Sequence, residues 1–210
     1  MKSCALLAAV LLLGLCPADA RSETGGEPDP RLAEGEIVLL DADASEAGGA
    51  ARVQALFQAP AESAWAVITS CESSFVFVNG LKQCEVIEDQ GDRALIRQVV
   101  KPSWLVPRQE FVFESLREPY REIRFGLVEG NLRAMEGSWR FTATPDGLLV
   151  DYSIRVRPAL PVPGFIVSWV MRRGMPDLIA CIRGLAGGSG SPDGQRDDLE
   201  RCRGDAPPAP

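Results

Sequence analysis

The sequence of 210 residues contains no histidine. Without an imidazole, Ser-His-Asp and Cys-His nucleophilic catalysis, histidine general bases and His-ligated zinc sites are excluded. Any enzymatic chemistry would have to rest on carboxylates, Tyr, Lys or Arg, and no convincing catalytic set of these is visible. The chain also lacks clustered basic residues: 22 Lys and Arg stand against 29 Asp and Glu, for a net charge of −7. Phosphate backbones require such clusters, so nucleic acid is not an expected partner. No cysteine lies two to four residues from another, which removes the usual thiolate metal spacing. Neither a metal nor another cofactor is expected, and no internal repeat is present.

Long uninterrupted apolar runs are nearly absent too. The exception is Ala5 to Leu15, which follows the basic start Met1-Lys2 and precedes Ala18-Asp19-Ala20. That pattern fits a secretory signal peptide over residues 1–20 and is too short and wrongly flanked for a membrane anchor. Cys16 raises a lipoprotein alternative, which Leu15 disfavours because a small residue is expected there. The chain is therefore expected to be exported, periplasmic or secreted, and to begin at Arg21. Of the six cysteines, Cys71, Cys84, Cys181 and Cys202 would remain after cleavage. An even number in an oxidising compartment points to disulfides. Three pairings are open, and proximity in sequence favours Cys71–Cys84 with Cys181–Cys202.

Residues 21–34 are polar and rich in Gly and Pro, as a flexible lead-in would be. Residues 188–210 have a similar composition and are expected to form a disordered tail. The Arg203-Gly204-Asp205 tripeptide within it resembles an adhesion motif but reads better as polar tail. Residues 35–187 carry the folded domain, which is long enough for one core.

Within that domain a period of two dominates. Val53, Ala55 and Phe57 alternate with Arg52, Gln54 and Gln58. Two short helices are expected over "AESAWAVITS" and "CESSFVFVNGL". Strands follow from Lys82, the first two joined by a hairpin turn at Gln90-Gly91-Asp92. Their one-faced apolar sets are Phe111, Phe113 and Ser115; Ile123, Phe125 and Leu127; Met135, Gly137, Trp139, Phe141 and Ala143; and Val150, Tyr152, Ile154 and Val156. An extra strand over Gly35 to Asp43 can pair ahead of Ala51. Such alternation describes an antiparallel sheet with one buried and one wet face.

The buried face needs a cover, and "PVPGFIVSWVMRRGMPDLIACIRGLA" (Pro161 to Ala186) can supply it. Arg172 and Arg173 near its middle make it a poor membrane span. At helical spacing Phe165, Ile166, Trp169 and Val170 form a stripe that Leu178, Ile179, Ile182 and Leu185 continue. Gly174 and Pro176 are expected to bend or split the helix.

One strand, two short helices, a run of antiparallel strands and a long terminal helix is the helix-grip order. The segment "VQALFQAPAESAWAVITSCESSFVFVNGLKQCEVIE" resembles the opening of START-related polyketide cyclase and coenzyme Q-binding-like domains of the SRPBCC superfamily. The pieces that carry the likeness are Ala59-Pro60, Trp65, Gly80-Leu81 and Cys84-Glu85-Val86. The ending "PVPGFIVSW…MPDLIACIRGLA" is similar to that family's closing helix, so the likeness spans roughly Glu36 to Ala186. It implies an α+β helix-grip fold (START/Bet v 1-like). A curved antiparallel sheet of about six to seven strands would wrap a long C-terminal helix, with two short helices after the first strand.

The resemblance further implies a mostly apolar cavity between sheet and helix. Its candidate lining is Gln98, Phe111, Phe113, Phe125, Met135, Gly137, Trp139, Tyr152, Phe165 and Trp169. Gly137, Ala143, Ser115 and Ala55 would leave room among the bulky rings. Gln98 and Tyr152 could meet a ligand oxygen, while ordinary core packing is the competing reading for every aromatic in the set, Trp65 included. Trp104 lies in a Pro-flanked loop and suits a cavity mouth or a transient membrane contact. Three functions follow: a monomeric, non-catalytic carrier of a hydrophobic small molecule (lipid, quinone or polyketide-like); a module that binds a partner protein; and a polyketide cyclase or aromatase. The first fits best, because the alternation shows no inward carboxylate–Arg pair for the third.

Overall fold

Alternation along the chain becomes eight strands in one antiparallel sheet. The computed structural model describes residues 29–45, 47–101, 104 and 106–202. The expected signal peptide, Cys16 and the Arg203–Asp205 tripeptide lie outside the described residues. The strands are β1 (Val38–Ser45), β2 (Gly48–Phe57), β3 (Leu81–Asp89), β4 (Arg93–Val100), β5 (Gln109–Glu118), β6 (Glu122–Gly130), β7 (Leu132–Thr144) and β8 (Gly147–Pro158). Their order across the sheet is β1-β2-β8-β7-β6-β5-β4-β3. Eight strands rather than six to seven are present because the optional first strand does pair, with Asp43 opposite Ala50.

The inward faces follow the expected parity. Val53, Ala55, Phe57 and Val150 are fully buried, and Met135, Trp139, Phe141 and Tyr152 nearly so. Two short helices, α1 (Ala61–Thr69) and α2 (Cys71–Phe77), bridge β2 to β3. The Ser70 hydroxyl accepts from the Ser73 backbone N–H at 3.1 Å, capping α2 where it would otherwise fray. The helices are thus kept separate at Ser70, which turns the chain toward β3.

The covering helix comes in two parts, α3 (Gly164–Trp169) and α4 (Met175–Leu185), joined by a π-type turn over Val170–Gly174. The Met175 N–H reaches back to the Val170 carbonyl, the five-residue spacing of a π turn. Pro176 accounts for it: lacking an N–H, it is tolerated only near the start of a helix, where α4 places it. The widened turn also shifts the buried stripe. Ile166, Val167 and Met171 are buried in place of Phe165, which is 42% exposed. Ile166 and Met171 stand five residues apart, the repeat the π turn imposes. Among the described residues no helix is long and apolar enough to cross a membrane.

Both termini of the domain depart from their expected disorder. Pro30–Leu32 form a 3-10 turn capped by Asp29, with Leu32 buried. At the other end Pro192–Arg201 form a helix, α5, inside the segment expected to be a disordered tail. Composition failed there because tertiary partners decide: Arg183 forms a two-pronged pair with Asp198 at 2.7 and 2.9 Å, and the Ser189 hydroxyl donates to the same carboxylate. Cys181–Cys202 ties α4 to the end of α5, and Cys71–Cys84 ties α2 to β3, with Cα separations of 4.8 and 5.5 Å.

Candidate functional site

A cavity of about 300 Å³ opens between the sheet and the helices. That lies at the low end of the range in which small-molecule sites fall. From the helices come Ile68, Phe77, Val78, Met175 and Leu178; β3 and β4 supply Cys84, Val86, Ile96, Gln98 and Val100. The inward row of β5 contributes Gln109, Phe111, Phe113, Ser115 and Arg117. Ile123 and Phe125 of β6, Met135 and Trp139 of β7, and Tyr152, Ile154 and Val156 of β8 close the far side.

The rings form a continuous row across the sheet. Phe111–Phe113, Phe113–Phe125 and Phe125–Tyr152 have centroid separations of 6.3, 6.3 and 6.4 Å, and Trp139 stacks on Tyr152 at 4.0 Å. Adjacent strands place these positions side by side: Phe113 opposite Ile96, Ser115 opposite Phe125, Trp139 opposite Tyr152. A row of this kind offers ring faces and edges to an apolar guest.

Polar groups are few. Among the described residues the Gln98 side chain makes only a long contact to Cys84 Sγ, at 3.8 Å. The Tyr152 hydroxyl has no side-chain partner among the described residues, and burial pushes its pKa well above the ordinary value. It therefore stays protonated and can donate but cannot serve as a base near neutral pH. Gln109 donates to the Pro107 carbonyl at 2.9 Å, while its Oε1 is buried without a partner among the described residues. Arg117, its side chain only 8% exposed, pairs with Asp89 at 3.0 Å. Asp89 is held below the usual carboxylate range first by the Gly91 N–H and then by Arg117. Thr69 and Ser74 spend their hydroxyls on helix carbonyls.

The cavity thus brings together seven of the ten candidate residues: Gln98, Phe111, Phe113, Phe125, Met135, Trp139 and Tyr152. Phe165 and Trp169 are not in its lining, because the π turn rotates α3 relative to α4. Gly137 does not provide space either. A Cβ there would run into the Phe125 ring and the Ser153 carbonyl, so the ring already fills the site. Ala55 belongs to the solid core, Ala143 is exposed, and only Ser115 of the four small residues faces the cavity. Trp104 is 78% exposed and outside the lining. Gln109 and Arg117 were not singled out from sequence, although their odd-numbered parity with Phe111 and Phe113 carried the signal.

The sequence model described as polyketide cyclase / dehydrase and lipid transport matches residues 57–183, more than half of the chain. No curated protein matches it in sequence. Among solved structures, a STAR-related lipid transfer protein from Xanthomonas axonopodis aligns at a TM-score of 0.59 and 13% identity. That alignment covers 72% of this chain and 92% of the other. A Thermus thermophilus protein aligns at 0.51 and 18% identity, covering 73% and 97%. At those identities the structural likeness speaks for the fold, and both agree with the helix-grip arrangement of eight strands around α3 and α4. Sequence match, element order and sheet–helix cavity converge: the chain belongs to the polyketide cyclase/dehydrase and lipid transport family.

Proposed function

We propose that this chain is a non-catalytic binding protein that carries a hydrophobic small molecule outside the cytosol. The observation that carries the reading is the cavity of about 300 Å³, walled mostly by aromatic and aliphatic side chains taken together. A lining of that chemistry gains by removing an apolar guest from water, at roughly 25 cal/mol for each Å² covered. Among the described residues the lining itself holds no Asp or Glu to act as a general acid or base, which supports holding over turnover. Both disulfides suit an oxidising compartment, and the apolar leader pattern of residues 1–20 suits export. A monomer is the expected form.

The test is organic extraction of protein purified from its native source without detergent, followed by mass spectrometry. A carrier yields one hydrophobic compound in near-stoichiometric amount. Recovery of no such compound, together with stoichiometric co-purification of a protein, would turn the reading to a partner-binding module. Conversion of the recovered compound on incubation would turn it to a cyclase.

A further inference from the structure

We infer that the guest is an amphipathic acid, an apolar body with a single carboxylate head, and that Arg117 and Ser115 receive that head; this rests on the carrier reading above. Among the described residues the lining of the cavity contains one cation, Arg117, and no Asp or Glu. Its hydrogen-bonding capacity is correspondingly one-sided. The guanidinium has five N–H groups. One Nη1 proton meets Asp89 at 3.0 Å and Nε donates to the Ser115 hydroxyl at 3.4 Å. The other N–H groups have no acceptor among the described residues. Ser115 is itself only 4% exposed, and since its oxygen accepts from Arg117 its own proton is free to donate. Inward donors side by side on β5 are complementary to an oxygen acceptor.

Charge selects among acceptors. An anion taken into an apolar cavity without a partner pays a large desolvation cost, so it can be held only where a cation waits. Arg117 is that point in the lining, and its planar fork suits a carboxylate. Its present counter-ion does not block the site, because Asp89 is 46% exposed and reaches Arg117 from the β3 edge. The body of the guest would then run from Ser115 along Phe113 and Phe125 to Tyr152 and Trp139, the row of rings across the sheet.

The experiment uses the neutral fluorophore N-phenyl-1-naphthylamine as reporter, displaced near neutral pH by dodecanoic acid or by methyl dodecanoate. The acid is expected to displace it at about tenfold lower concentration than the ester, as one charge-assisted contact predicts. Arg117→Met should erase that difference, so that the acid displaces the reporter no better than the ester does. Asp89→Asn, on an exposed carboxylate, should widen the difference several-fold by removing the competitor for the guanidinium. Equal potency of acid and ester on the wild-type protein overturns the carboxylate inference, even if Arg117→Met does not fold. A reporter that fails to bind at all counts instead against the carrier reading. Loss of acid preference in Asp89→Asn would place the head elsewhere and overturn the assignment to Arg117.

Discussion

The sheet has two halves that the same helix treats differently. Against β2, β8 and the adjoining part of β7, α4 presses Ile179 and Ile182, both fully buried, onto Val53, Ala55, Phe57 and Val150. That half is solid. Against β3 to β6 the helix offers only Met175 and Leu178, the first residues after the π turn, and the space opens into the cavity. One half specifies the fold by close packing, and the other keeps its rings apart and leaves them partly without contacts. The widened turn at Val170–Gly174 packs over β1 and β2, with its Met171 buried in one cluster with Ala51. Stability falls mainly to β2 and capacity for a guest to β3 to β6, with β7 and β8 contributing side chains to both.

The largest expected effect breaks the comparison directly. Phe57→Ala removes a ring with no exposure and should cost about 3–5 kcal/mol in chemical unfolding. Phe113→Ala, whose ring faces the cavity, should cost only about 1.5 kcal/mol, close to the transfer contribution alone. Equal costs would mean that the two halves are packed alike. Next in size, Cys71→Ser with Cys84→Ser opens a cross-link of sequence separation 13 and should cost about 3 kcal/mol in the same assay. Because that bridge anchors α2 to β3 in the cavity wall, reporter affinity should fall with it, whereas Cys181→Ser with Cys202→Ser should lower stability but spare affinity. The smallest effect concerns the seam. Burial raises the Tyr152 pKa above its unfolded value of 10.0, so its contribution is fully present below that pH and is lost as pH rises beyond it. The thermal midpoint should bend downward above pH 10, less steeply in Tyr152→Phe.

How much of this was readable beforehand follows the same division. Strict period-two alternation, Val53/Ala55/Phe57 or Met135/Trp139/Phe141, assigns a face without knowledge of neighbours, so the sheet and its cavity-facing rings were legible. The cystine pairs were legible because each joins segments close in sequence. Features set by tertiary partners were not. Helix α5 looks like a tail until Asp198 finds Arg183, and Phe165 looks like core until the π turn rotates its stripe outward. Gly137 reads as vacant because a sequence does not say that Phe125 leans over it. Arg117 sits at an inward parity position, yet a charged residue there is discounted until its burial is known.

The central claim is that the interior beside β3 to β6 is apolar room rather than packed core. A crystal of the wild-type protein pressurised with xenon tests it most directly, since xenon enters dry apolar cavities. The account predicts ordered xenon between Phe113, Phe125 and Leu178 and none between Phe57 and Ile182. Absence of xenon at the first position, with side chains closed across it, would contradict the claim.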